Sequence, residues 1–169
     1  MAATGPKKLL ALDTNFLLDL AKEEPFAHDF RMFFQRIGFQ FLVPPTVVME
    51  LTFAAEEEAG KMQASARRAL NNFPHWDIQP FGMTGIQADI TEIFSQRLRE
   101  KGLLPFEEVN DGVILAETSL GGISILITRD KHLLGLDETS LAMAFNDADL
   151  TPVNPAHPRR LLRSAQQIL

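Results

Sequence analysis

The chain has 169 residues and a mass of 18.9 kDa, enough to bury a substantial core; 46% hydrophobic and 22% charged residues exclude a disordered or fibrous chain. Lys and Arg number 16 against 22 Asp and Glu, and the net charge of −6 excludes a broadly polybasic nucleic-acid binder while leaving room for a local site. With no cysteine there is no disulfide scaffold, thiolate nucleophile or Cys-based zinc site, which fits a reducing compartment.

Lys7 and Lys8 followed by Leu9–Leu12 briefly imitate a secretory signal, but Asp13 and Asp19 break the apolar stretch well short of a spanning length. A soluble cytoplasmic protein with no membrane contact is expected. Lys8 to Leu12 reads instead as a short buried strand. Asn15 to Ala21 has helical spacing, and Phe26, Phe30, Phe33 and Phe34 form a broad apolar helix face ended near Gly38. Phe39 to Val43 is a second strand, stopped by Pro44 and Pro45. Val47 to Glu58 follows as a helix opened by proline, and Met62 to Asn72 resumes helical spacing after Gly60.

Trp76, Ile78 and Phe81 suggest a short strand. Thr84 to Lys101 is a long amphipathic helix with Gly102 as its stop, and a helix from about Glu108 to Leu120 closes at Gly121 and Gly122. Ser124 to Thr128 is the clearest strand. A turn, a helix near Ser140 to Phe145, a short strand at Leu150 to Val153 and a last helix from about Pro158 complete the chain. Strands alternating with helices imply an α/β domain with a mainly parallel central sheet. Without internal repeat or linker, residues 1–169 read as one domain, with a core over about 8–155 and a C-terminal helix over about 158–168.

Four acids take informative positions in this scheme. Asp13 ends the first strand and Asp130 ends the clearest one. Glu50 and Asp111 lie on helices that leave the same edge. In an open parallel sheet, ligands collect outside the carboxyl ends of the strands. Taken alone, an Asp at a strand end is as readily a helix cap as a site residue. Four carboxylates at one edge, however, repel one another unless cations or protons offset them, and an all-oxygen donor set suits Mg²⁺ or Mn²⁺. Such ions activate water and stabilise a leaving oxygen, chemistry suited to phosphodiester hydrolysis. Asp13 and Asp130 are the expected core ligands, Glu50 and Asp111 completing the shell directly or through water.

The segments LDTNFLLDL, VPPTVVMEL, NDGVILAETSL, LITRDKHLL and the trailing LTPVNP resemble the PIN-domain family of metal-dependent nucleases, above all the toxin half of VapBC-type toxin–antitoxin pairs. The resemblance runs from about Leu9 to Pro155. It implies a three-layer α/β/α sandwich around a five-stranded parallel sheet, with Asp13, Glu50, Asp111 and Asp130 as the four site acids and Asn15 and Thr128 as polar supports. It further implies a metal-dependent ribonuclease, an RNA substrate, an antitoxin partner and a homodimer. Glu117, the length of the Gly60 to Lys101 region and the helix near Ser140 depart from the family pattern.

Other classes fit less well. The chain lacks the phosphate-loop, dinucleotide, zinc-protease and nucleophile-elbow patterns. A haloacid-dehalogenase-type phosphatase would want a second Asp where Asn15 stands. A non-catalytic PIN-like module that binds RNA or protein is the remaining alternative. The Phe26–Phe34 stripe reads as core or dimer contact, and Glu56–Glu58 as a solvated face. Asp19 and Glu117 read as exposed helix positions, with outer support of the site acids as the alternative. Arg129, Lys131 and His132 flank Asp130 and are weak candidates for RNA phosphate contacts, and Arg67, Arg68, Arg159, Arg160 and Arg163 either extend that track or are ordinary surface charge.

Overall fold

The computed structural model describes residues 8–168; Lys7 and both ends of the expected 1–169 domain lie outside the described residues. Five strands, β1 (Leu9–Leu12), β2 (Gln40–Val43), β3 (Ile78–Pro80), β4 (Ile125–Ile127) and β5 (Asn154–Ala156), form one sheet in the order β3-β2-β1-β4-β5, every pair parallel. Nine helices are present among the described residues: α1 (Thr14–Ala21), α2 (Pro25–Arg36), α3 (Pro45–Glu57), α4 (Gly60–Asn72), α5 (Gly85–Glu100), α6 (Val109–Leu120), α7 (Lys131–Leu134), α8 (Glu138–Asp147) and α9 (Pro158–Ile168). The architecture is a three-layer α/β/α sandwich.

Central strands buried on both faces read as unbroken apolar runs. Leu10, Ala11 and Leu12 of β1 and Leu126 and Ile127 of β4 are fully buried. The phenylalanine stripe belongs to this core: Phe30 and Phe34 of α2 are buried, and Phe30 meets the Phe16 ring edge-on at 5.2 Å. Strand order reverses beside β1, because β2 and β3 lie on one side of it and β4 and β5 on the other. The β1/β4 boundary is therefore the topological switch point, the usual place for a ligand in such a sheet.

Three local expectations change. The fifth strand lies at Asn154–Ala156 rather than Leu150–Val153. Leu150 still belongs to the exit from α8, its N–H donating to Phe145 O, and the preceding Asp149 is left-handed at φ 57°. Pairing starts only where Asn154 N–H reaches Ser124 O, and Pro155 is tolerated because β5 is an edge strand. The expected turn after Asp130 is the one-turn helix α7. Trp76 is buried but precedes β3, separated from it by the left-handed Asp77.

Candidate active site

Asp13 and Thr128 face each other across the switch point. Asp13 N–H donates to Ile127 O at 2.9 Å, prolonging the β1/β4 ladder, so its carboxylate emerges where β1 becomes α1. The carboxylate is 5% exposed and accepts from Thr14 N–H at 2.8 Å, Thr128 Oγ1 at 2.7 Å and Asn15 Nδ2 at 3.4 Å. Thr128 Oγ1 in turn accepts from Asn15 Nδ2 at 3.3 Å and Asp130 N–H at 3.0 Å. Asn15 Oδ1 takes Arg129 N–H at 3.0 Å. These side chains therefore stitch the first turn of α1 to the end of β4. Burial pushes the Asp13 carboxyl up to about 6 against the lowering effect of Thr128 and Thr14, with the Glu50 and Asp130 charges adding to the rise.

The other three acids ring this pair. Asp130 caps α7, its Oδ1 accepting from His132 N–H at 2.8 Å and Leu133 N–H at 3.1 Å. Glu50, one turn into α3, accepts from Thr14 Oγ1 and from Asn110 Nδ2 at 3.2 Å. Asp111 stands in the first turn of α6, and its Oδ2 is buried with no hydrogen-bond partner. Burial first, then the charges of Asp130, Asp13, Glu108 and Glu50, push its carboxyl up to about 8. The four acids thus lie within electrostatic reach of one another. Among the described residues, though, no three or more His, Asp or Glu side chains close on a point as a ready-made cation site. Asp13, Glu50 and Asp130 bind donors of the protein instead, and Asp111 Oδ2 is the one oxygen of the four acids that is both buried and without a partner.

That orphaned oxygen is the test of fit for a metal ion. A buried carboxylate oxygen without a donor costs free energy unless protonated or met by a cation. The donor set around it is all oxygen, as Mg²⁺ or Mn²⁺ requires. Asp13, Glu50, Asp111 and Asp130 would hold such an ion, with Thr128 and Asn15 orienting Asp13.

The basic residues after β4 behave differently from one another. Arg129 turns its guanidinium away, forking onto Asp19 with Nη2 at 2.8 Å from Oδ1 and Nε on Oδ2. His132 Nε2 faces Glu108 at 3.7 Å, an ion pair only when the ring is protonated. Lys131 is exposed and makes no ion pair among the described residues. Arg67 and Arg68 serve helix ends, donating to Ala55 O at 3.1 Å and Ala21 O at 2.9 Å, and Arg159 lies 4.4 Å over the Phe26 ring.

Asp19 and Glu117 are both 4% exposed, against the expectation of surface positions. Asp19 is buried because its partner Arg129 arrives from β4. Glu117 is buried because α6 presents it to the start of α3, where it accepts from Thr46 N–H at 3.1 Å and Thr46 Oγ1 at 2.9 Å. Sequence reasoning also passed over Thr14 and Asn110, the two residues that hold Glu50. Their signal was adjacency, since each stands directly beside a site acid.

The PIN-domain family model matches residues 10–138, from β1 to the start of α8. The chain belongs to the PIN-domain family. Among solved structures, this PIN domain is similar to VapBC2 from Rickettsia felis, crystallised bound to a DNA fragment from its promoter. The TM-score is 0.61 at 13% identity, over 88% of this chain and 98% of that one. It is also similar to FitAcB from Neisseria gonorrhoeae, with TM-score 0.51 at 19% identity, over 88% and 97%. At such identities the likeness is one of fold. No curated protein matches the sequence. No helix among the described residues is long and apolar enough to cross a membrane.

Proposed function

We propose that this PIN domain is a Mg²⁺- or Mn²⁺-dependent endoribonuclease, the toxin half of a VapBC-like toxin–antitoxin pair. The observation that carries the reading is Asp111 Oδ2, a buried carboxylate oxygen with no donor, beside three further acids at the switch point of a PIN fold. A binding module gains nothing from holding that oxygen unsatisfied against a polyanion.

When bound, the ion supplies Lewis acidity and a more acidic water for attack on a phosphodiester. The chain's own part is positioning. Asp13, Glu50, Asp111 and Asp130 furnish the oxygen donors. Thr128 and Asn15 fix the Asp13 carboxylate through hydrogen bonds, as outer partners fix metal ligands generally. Thr14 and Asn110 do the same for Glu50. Lys131 and His132, at the first turn of α7 next to Asp130, would meet substrate phosphates, whereas Arg129 is committed to Asp19. In this proposal residues 1–169 work as one domain, in the cytoplasm and as a homodimer, with a small antitoxin as partner; the likeness in fold to the VapBC2 complex supports the partner.

The test is cleavage of a defined RNA with Mg²⁺ or Mn²⁺ and with EDTA. Metal-dependent cleavage leaving a 5′-phosphate is the expected result. Undiminished cleavage in chelator by nuclease-free protein overturns the metal reading. Tight RNA binding without cleavage under every metal tried favours the non-catalytic module.

A further inference from the structure

The first turn of α3 has an unusual N-terminus. Its N-cap is Pro44, which offers no side-chain hydrogen bond, and its first residue, Pro45, has no N–H. Val47 N–H and Val48 N–H both turn back to Pro44 O, at 3.0 and 3.2 Å. Thr46 N–H is therefore the one amide of the turn without a partner in its own helix. Glu117 of α6, 71 positions further on, takes it at 3.1 Å with Oε1, while Oε2 takes Thr46 Oγ1 at 2.9 Å. A two-pronged cap is thus supplied from a different helix. A carboxylate is the favourable charge at a helix N-terminus.

The position is expensive in other respects. Glu117 is 4% exposed, and both its burial and the charge of Glu50 raise its carboxyl above the ordinary range. What it gains is a fixed relation between two helices. Glu50 lies one turn beyond Thr46 on α3. Asn110 and Asp111 lie on α6 with Glu117, and Asn110 already holds Glu50 Oε2. Glu117 and Asn110 therefore tie α3 to α6 at two levels, with the Glu50 carboxylate at the second. Both line a cavity of about 390 Å³ between α3, α5 and α6, so neither tie is backed by solid packing on that side.

We infer that Glu117 is a positioning residue for the acid site: by capping α3 from α6 it sets where the Glu50 carboxylate stands relative to Asp111. The inference rests on the metal-site reading above. It predicts an effect on cation affinity, where an ordinary helix cap would affect only stability.

The experiment compares wild type, Glu117→Gln, Glu117→Ala and Thr46→Val. Two quantities are measured: amide hydrogen exchange in the first turn of α3 in chelator, and the Mn²⁺ dissociation constant from the electron paramagnetic resonance of free Mn²⁺. Glu117→Ala should speed exchange at Thr46 and Val47 and weaken Mn²⁺ binding by about tenfold or more, the scale of lost outer-shell support. Glu117→Gln, which can still accept from Thr46 N–H, should recover most of both. Thr46→Val, which removes only the hydroxyl prong, gives the same readout at a smaller size should the alanine variant fail to fold. Faster exchange with an unchanged Mn²⁺ constant in either variant reduces Glu117 to a structural cap and overturns the inference alone. Absence of Mn²⁺ binding in wild type overturns the metal-site reading and this inference with it.

Discussion

The two sides of the acid cleft are built on different terms. On the strand side, Asp13 and Asp130 follow β1 and β4 and accept from the protein's own donors, Asp13 with both oxygens from Thr14, Thr128 and Asn15, and Asp130 with Oδ1 from the α7 amides. On the helix side, Glu50 is held by side chains alone, and Asp111 keeps one buried oxygen with no donor. The strand side is thus organised without any ion. The helix side carries the unsatisfied carboxyl: burial with neighbouring acids lifts Asp111 to about 8, while Asp13, with its hydrogen bonds, reaches only about 6. Preorganisation and the unsatisfied acid are divided between strands and helices.

The largest expected effect comes from disturbing the organised side. Asp13→Asn removes one charge and keeps the shape, and cleavage should fall by at least about 100-fold, since even outer-shell losses reach that scale. Quantified RNA cleavage in Mn²⁺ checks this, with the exposed Glu57→Gln as a neutral control. Asp19 is unsuitable for that control, because its buried carboxylate holds Arg129.

Next in size is a shift of the helix side as a body. A Cβ at Gly112 would meet Ser95 Oγ at 2.5 Å and Ser95 Cα at 2.7 Å, so this glycine permits α6 to lie against α5 beside Asp111. Gly112→Ala should cost about 1–3 kcal/mol of stability through overpacking. Denaturant unfolding reads that cost, and Mn²⁺ affinity should weaken in the same variant.

Asp111→Asn sharpens the electrostatic contrast. A carboxyl raised from 3.8 to about 8 on folding stabilises the native state fully below pH 3.8 and loses that contribution as pH rises through about 8. Wild type in chelator should therefore lose stability steadily across that window. In Asp111→Asn the decline should end near pH 6, where the Asp13 titration finishes. Unfolding midpoints measured from pH 4 to pH 8 in EDTA separate the two curves, and superimposable profiles would contradict the contrast.

The smallest effect belongs to Asp130→Asn in chelator. Asn caps a helix nearly as well as Asp, so α7 should survive with a stability change within about 0.5 kcal/mol. Thermal melts in EDTA check it.

Much of this was legible in the sequence because its signals are local. Unbroken apolar runs announced β1, β2 and β4, and Asp13 and Asp130 could be read from the strands they end. β5 was misplaced because an edge strand that is only half-buried needs no apolar run, so Leu150 and Val153 attracted the assignment that Asn154–Ala156 holds. Asp19 and Glu117 were misread for a different reason. Their partners lie 110 and 71 positions away, and neither helix carries a local sign that its acid is buried. The lone oxygen of Asp111 is likewise a property of packing, which periodicity cannot report.

The most direct test of the division between the two sides is a Mn²⁺ titration followed by melting temperature, in wild type and Asp111→Asn. At a hundred times the dissociation constant, binding to the native state contributes about 2.7 kcal/mol, or about 5–10 °C for a chain of this length. Wild type should rise by that amount and Asp111→Asn by little. Equal rises in both proteins, or none in wild type, would contradict the assignment of the cation demand to Asp111.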